Sequence, residues 1–118
     1  MSEFVDVFST LDVPDGSLRI SEVGGREILL ARVGDRYYAA DNRCPHMGCN
    51  LSRGKLEGTI VTCPRHHSQF DLSDGRVIRW TDWSGIKLSL AKILKPPKPL
   101  KTYVVRIEGE RILVKLKE

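Results

Sequence analysis

Two short groups of residues in this chain could bind a metal. Cys44-Pro45-His46 is a C-x-H pair and Cys63-Pro64-Arg65-His66 is a C-x-x-H pair, with the sixteen residues Met47–Thr62 between them. Each pair offers one thiolate and one imidazole from a single loop. Two sulfur and two nitrogen donors suit either a tetrahedral zinc or an iron–sulfur cluster. The apolar stretch Thr59-Ile60-Val61-Thr62 runs directly into Cys63, so a rigid strand aims the second loop. No separate 2-His-1-carboxylate site can be assembled, because His67 is the one histidine left over.

The elements that must carry these loops are short and β-type. Phe4–Phe8 alternates, Ser17–Val23 and Glu27–Val33 flank Gly24-Gly25, and Arg36–Ala40 follows Gly34-Asp35. Thr59–Thr62, Ser68–Leu72 and Arg76–Trp80 surround the second pair, with Ser73-Asp74-Gly75 as a turn. Thr102–Glu108 and Arg111–Lys117 flank Gly109-Glu110. About nine short strands with frequent turns predict an all-β fold, an antiparallel β sandwich or small barrel. Asp41–Gly58 reads as loop, with Pro45, Gly48, Gly54 and Gly58. Asp82–Leu94 fits helix and strand spacing alike; Ser84 as a cap and Pro96-Pro97 as a stop favour a short helix.

At 118 residues the chain is expected to be a single domain, 1–118. It has 19 Lys and Arg against 15 Asp and Glu, for a net charge of +4. The excess is local. Residues 76–101 hold Arg76, Arg79, Lys87, Lys92, Lys95, Lys98 and Lys101 against Asp82 alone, whereas residues 1–75 are net acidic. With only Trp80 and Trp83 among them, these bases do not form an aromatic-interleaved groove for nucleic acid. A solvated face and a dock for an acidic partner both remain open. Three cysteines are odd and few for a disulfide scaffold. No basic-then-apolar leader and no long apolar run are visible, so a cytoplasmic protein without a membrane anchor is expected.

C-P-H-M-G-C followed by C-P-R-H-H-S-Q-F-D resembles the Rieske iron–sulfur family. The likeness extends to Tyr38–Arg43 before the first loop and to Leu51-Ser52-Arg53-Gly54 after it. It continues through Phe70–Arg76, Pro99–Tyr103 and the final strand. It implies a Rieske-like antiparallel fold with a cluster-binding subdomain at about 41–80 and a basic insertion at about 81–98. It also implies one [2Fe–2S] cluster per chain, with Cys44 and Cys63 on one iron and His46 and His66 on the other. Two ferric ions, two sulfides, two thiolates and neutral imidazoles sum to zero charge, whereas four thiolates would leave the centre negative. An electron then enters more readily than in a plant-type ferredoxin. The C-x-H opening and these flanks disfavour the zinc alternative.

The same resemblance gives roles to neighbours. Ser68 stands where a serine can donate to a bridging sulfide, and Phe70 where a tyrosine would donate to a cysteine sulfur. Phenylalanine has no hydroxyl, so packing under the loop is its expected role. Pro45 and Pro64 stiffen the loops. Cys49 would need a cysteine at position 65 to form the disulfide of cytochrome bc subunits; Arg65 stands there, so Cys49 is expected to be a free thiol. His67 stands where glycine is common and is expected to be a strained surface residue, not a ligand. The implied function is a soluble electron carrier between a reductase and a terminal enzyme such as an oxygenase. The alternative within the fold is the small subunit of a nitrite reductase-like complex.

Overall fold

The computed structural model describes residues 4–43, 50–64, 67–79 and 99–115. In chain order the strands are β1 (Phe4–Ser9), β2 (Leu18–Val23), β3 (Arg26–Val33), β4 (Arg36–Asp41), β5 (Lys55–Glu57), β6 (Ile60–Thr62), β7 (Gln69–Asp71), β8 (Val77–Arg79), β9 (Thr102–Glu108) and β10 (Arg111–Lys115). They form two antiparallel sheets, ordered β1-β10-β9-β4-β3-β2 and β5-β6-β7-β8. The edges β1 and β2 of the larger sheet approach each other, so it curls into a nearly closed barrel.

An unbroken apolar run explains how the sheets meet. Ile28, Leu29, Leu30 and Ala31 of β3 are all buried. Side chains alternate across a strand, so a run buried throughout must divide two cores. Ile28 and Leu30 pack inside the barrel with Val13, Ala39, Tyr103, Ile112 and Val114. Leu29 and Ala31 face the other way, with Ala40, Leu51, Val61, Cys63, Phe70, Leu72 and Leu100. The small sheet is thus laid against the outer face of β3 and β4, and Cys63 belongs to this second core.

The strand expectations hold, with one correction. Asp41–Gly58 is not loop throughout: it contains a 3-10 turn at Leu51–Arg53 and the strand β5, making ten strands among the described residues. Lys55-Leu56-Glu57 is too short and too charged to show a periodic signal, and it is a strand because Leu56 finds Val61 across the ladder with β6. The helix expected in Asp82–Leu94, both tryptophans and the basic insertion at about 81–98 lie outside the described residues.

Candidate metal centre

Cys63 sits at the end of β6, fully buried. Its N–H donates to the Ser68 carbonyl at 2.7 Å and its carbonyl accepts from the His67 N–H at 3.2 Å. These bonds close the second loop on itself. Closure requires a left-handed residue, and His67 supplies it with φ of 59°, the one non-glycine of that kind among the described residues. Such a conformation costs a side-chain-bearing residue about 1–3 kcal/mol. The Arg79 guanidinium caps the same peptide, donating from Nε at 3.0 Å and Nη2 at 2.9 Å to the His67 carbonyl. Ser68 and Phe70 are fully buried, and Phe70 packs in the same core as Cys63.

The first loop is closed by a residue the motif does not contain. Asn42 is fully buried where β4 ends. Its N–H donates to the Glu27 carbonyl at 3.2 Å, and its own carbonyl accepts from the Leu51 N–H at 2.8 Å. Its Oδ1 accepts from the Ser52 N–H at 2.9 Å, while Nδ2 donates to Glu27 Oε1 at 3.3 Å and Asn50 Oδ1 at 3.4 Å. One amide therefore ties both ends of the loop to each other and to β3. Arg43 and Asn50 add a β-bridge. Just upstream, the Tyr103 hydroxyl donates to Asp41 and accepts from Arg26. Burial, and then the bond to Asp41, push the Tyr103 hydroxyl up to about 12.

Two glycines bring the loops together. A Cβ on Gly54 would lie 1.9 Å from the Thr62 carbonyl oxygen. The backbone leaving the first loop therefore lies directly on the residue before Cys63. Gly75 has φ of 82°, and a Cβ there would lie 2.0 Å from the Leu100 carbonyl oxygen. The Leu100 N–H donates to the Gly75 carbonyl at 2.8 Å, which fastens the β7–β8 hairpin to the chain entering β9. Asp71 holds the same hairpin, accepting from the Ser73 N–H, the Ser73 hydroxyl and Arg76. Burial alone would raise its carboxyl, but hydrogen bonds from Ser73 and Thr59 and the Arg76 charge hold it below the usual range.

Of the four expected donors, Cys63 is described; Cys44, His46 and His66 lie outside the described residues, as do Pro45, Cys49 and Arg65. Pro64 is exposed beside Cys63, and His67 is exposed as expected. Sequence reading missed Asn42 and Arg79. A polar residue directly between a strand and a C-x-H pair was the available signal for Asn42. Arg79 had none, because its partner is a backbone carbonyl twelve residues away.

Residues 3–104 match the Rieske [2Fe-2S] domain. The chain belongs to the Rieske family. It is 31% identical over 114 residues to the ferredoxin component of the naphthalene 1,2-dioxygenase system of Pseudomonas aeruginosa, across 97% of this chain and 96% of that protein. It is 32% identical over 110 residues to the ferredoxin component of the biphenyl 2,3-dioxygenase of Rhodococcus jostii, across 93% and 90%. Its fold superposes with a TM-score of 0.80 on the ferredoxin of carbazole 1,9a-dioxygenase from Nocardioides aromaticivorans, at 27% identity, across 97% and 98% of the two chains. This Rieske protein is an electron carrier built on a [2Fe–2S] domain and not itself an oxygenase. Likeness over nearly whole lengths to ferredoxin components leaves the zinc module and the nitrite reductase-like subunit without support. Among the described residues, no helix is long and apolar enough to cross a membrane.

Proposed function

We propose that Cys44 and Cys63 hold one iron and His46 and His66 the other, in one cluster per chain, and that this carrier serves a terminal oxygenase in the cytoplasm. The observation that carries this reading is the near-full-length likeness to ferredoxin components of oxygenase systems, in a chain that keeps both C-x-H and C-x-x-H pairs. A bound [2Fe–2S] group supplies a one-electron site at a potential above that of all-thiolate clusters. The protein's part is to position the group and to seal one side of it. The burial of Cys63 supports a sealed thiolate side, which leaves the histidine side toward the partners. Residues at about 41–80 form the cluster-binding subdomain, and those at about 81–98 a basic insertion.

Iron and sulfide analysis tests the ligand set, with two of each expected per chain. Reduction should give the low average g value of a histidine-ligated cluster. A colourless protein holding one zinc would overturn the reading. Single-turnover transfer from a flavin reductase through this protein to a ring-hydroxylating oxygenase tests the acceptor class. A fully reduced carrier that such oxygenases cannot oxidise would exclude them.

A further inference from the structure

The second loop contains a strained peptide held by a cation. His67 is left-handed although it is not a glycine, and its carbonyl takes two N–H donors from one guanidinium. Arg79 is placed for this by the ladder, since it pairs with Gln69 across β7 and β8. Among the described residues no carboxylate pairs with Arg79, so its charge is directed at the loop. The guanidinium fork puts two donors on one oxygen, a geometry that an ammonium cannot reproduce.

We propose that Arg79 is a positioning residue for the cluster. Its grip on the His67 carbonyl fixes the left-handed turn and so the adjacent His66, and its charge favours the reduced state. The inference rests on reading His66 as an iron ligand. Fixing the residue that follows a ligand narrows the positions its imidazole can take. An added electron makes the centre more negative, so a nearby cation stabilises the product of reduction more than the reactant.

The test uses cluster-loaded full-length protein and three readouts: midpoint potential, linewidth of the reduced resonance signal, and rate of bleaching by a chelator. Arg79→Gln should lower the reduction equilibrium constant about two- to fivefold, as exposed charges do; fivefold is about 40 mV at 59 mV per tenfold. It should also broaden the signal and speed bleaching about two- to tenfold, as loss of a hydrogen bond would. Arg79→Lys should restore the potential but not the bleaching rate. In a His67→Gly background, Arg79→Gln should still lower the potential but no longer speed bleaching, because glycine takes the left-handed turn unaided. Wild-type bleaching and linewidth in Arg79→Gln, or equal acceleration in both backgrounds, would overturn the positioning role. An unchanged potential would overturn the charge role. A wild-type spectrum in His66→Ala would instead sink the ligand reading, separately from either result.

Discussion

The two sheets are held together by different means. In the larger one, β2 and β3 pair at six positions, from Leu18 with Ala31 to Val23 with Arg26, and β3 and β4 at six more. Its barrel core is made from its own strands and Val13. In the smaller one every strand has three residues, and its core borrows Leu29, Ala31 and Ala40 from the larger. Strands that short cannot form a stable sheet alone in water. What replaces ladder length is a set of specific atoms: the Asn42 amide, the Asp71 carboxylate, the missing Cβ atoms of Gly54 and Gly75, and the residues proposed to bind iron. The larger sheet rests on pattern and should tolerate substitution, while the smaller rests on individual contacts and should not.

The strongest challenge to this contrast is removal of the metal. Cys63→Ala should abolish cluster binding, since metal and local folding are coupled. Hydrogen exchange should then show amides of β5 to β8 losing protection while β2, β3 and β4 keep theirs. Uniform loss across both sheets would mean that they fold as one unit and that the contrast is wrong.

Alanine at two glycines gives the next largest difference. Gly75→Ala adds overpacking against Leu100 to a left-handed strain, for about 2–4 kcal/mol together. Gly24→Ala, in the β2–β3 turn with φ of 59° and open space around it, should lose only the strain, about 1–2 kcal/mol. Urea unfolding of both variants measures the gap, and equal losses would remove the argument from close approach. Asn42→Ala follows, at about 1–3 kcal/mol, because it leaves buried backbone and side-chain groups unpaired. Faster chelator bleaching should accompany it, since both ends of the first loop are released.

Titration should separate the sheets by pH. The folded value of Asp71 lies below the ordinary 3.8. Its contribution is therefore present above about pH 4 and disappears as pH falls through the lowered value. Tyr103 has its folded value raised to about 12 from 10.0. That contribution is complete below pH 10 and is lost as pH rises toward 12. Asp71→Asn should flatten the acid limb of a stability profile and Tyr103→Phe the alkaline limb, each without altering the other. The smallest effect expected is for Ser52→Ala. The Ser52 Oγ is buried without a hydrogen-bond partner among the described residues, so its removal should cost no stability and should leave it unchanged or slightly higher. A loss as large as that of Asn42→Ala would show that the hydroxyl addresses the first loop.

How much could be read in the sequence follows the same division. Strands of the larger sheet announce themselves through alternation, Gly-containing turns and the run Ile28–Ala31. The Cys and His pairs are equally plain, because metal chemistry restricts residue type and spacing together. Strand β5 was invisible because its three residues carry no period. Asn42 and Arg79 were missed for another reason: Arg79 grips only a backbone carbonyl, and Asn42 bonds largely to backbone groups, partners that leave no trace in residue identity beyond the polar residue placed before the C-x-H pair. The strain expected at His67, by contrast, was legible from the glycine common at that position, and its φ bears it out.

The double burial of β3 constrains how this chain can change over time. Leu29 and Leu30 are neighbours along the backbone but belong to separate cores. A volume change at Leu30 can be answered only inside the barrel, by residues such as Ile112 or Val114. A change at Leu29 must be answered from the other side, by Leu51, Val61 or Phe70. Odd and even positions of one strand therefore drift with different sets of partners. Insertion or loss of a single residue in β3 would exchange the two sets, sending small Ala31 and large Leu30 each to the wrong side. Substitutions should be tolerated in this strand far more readily than any change in its length.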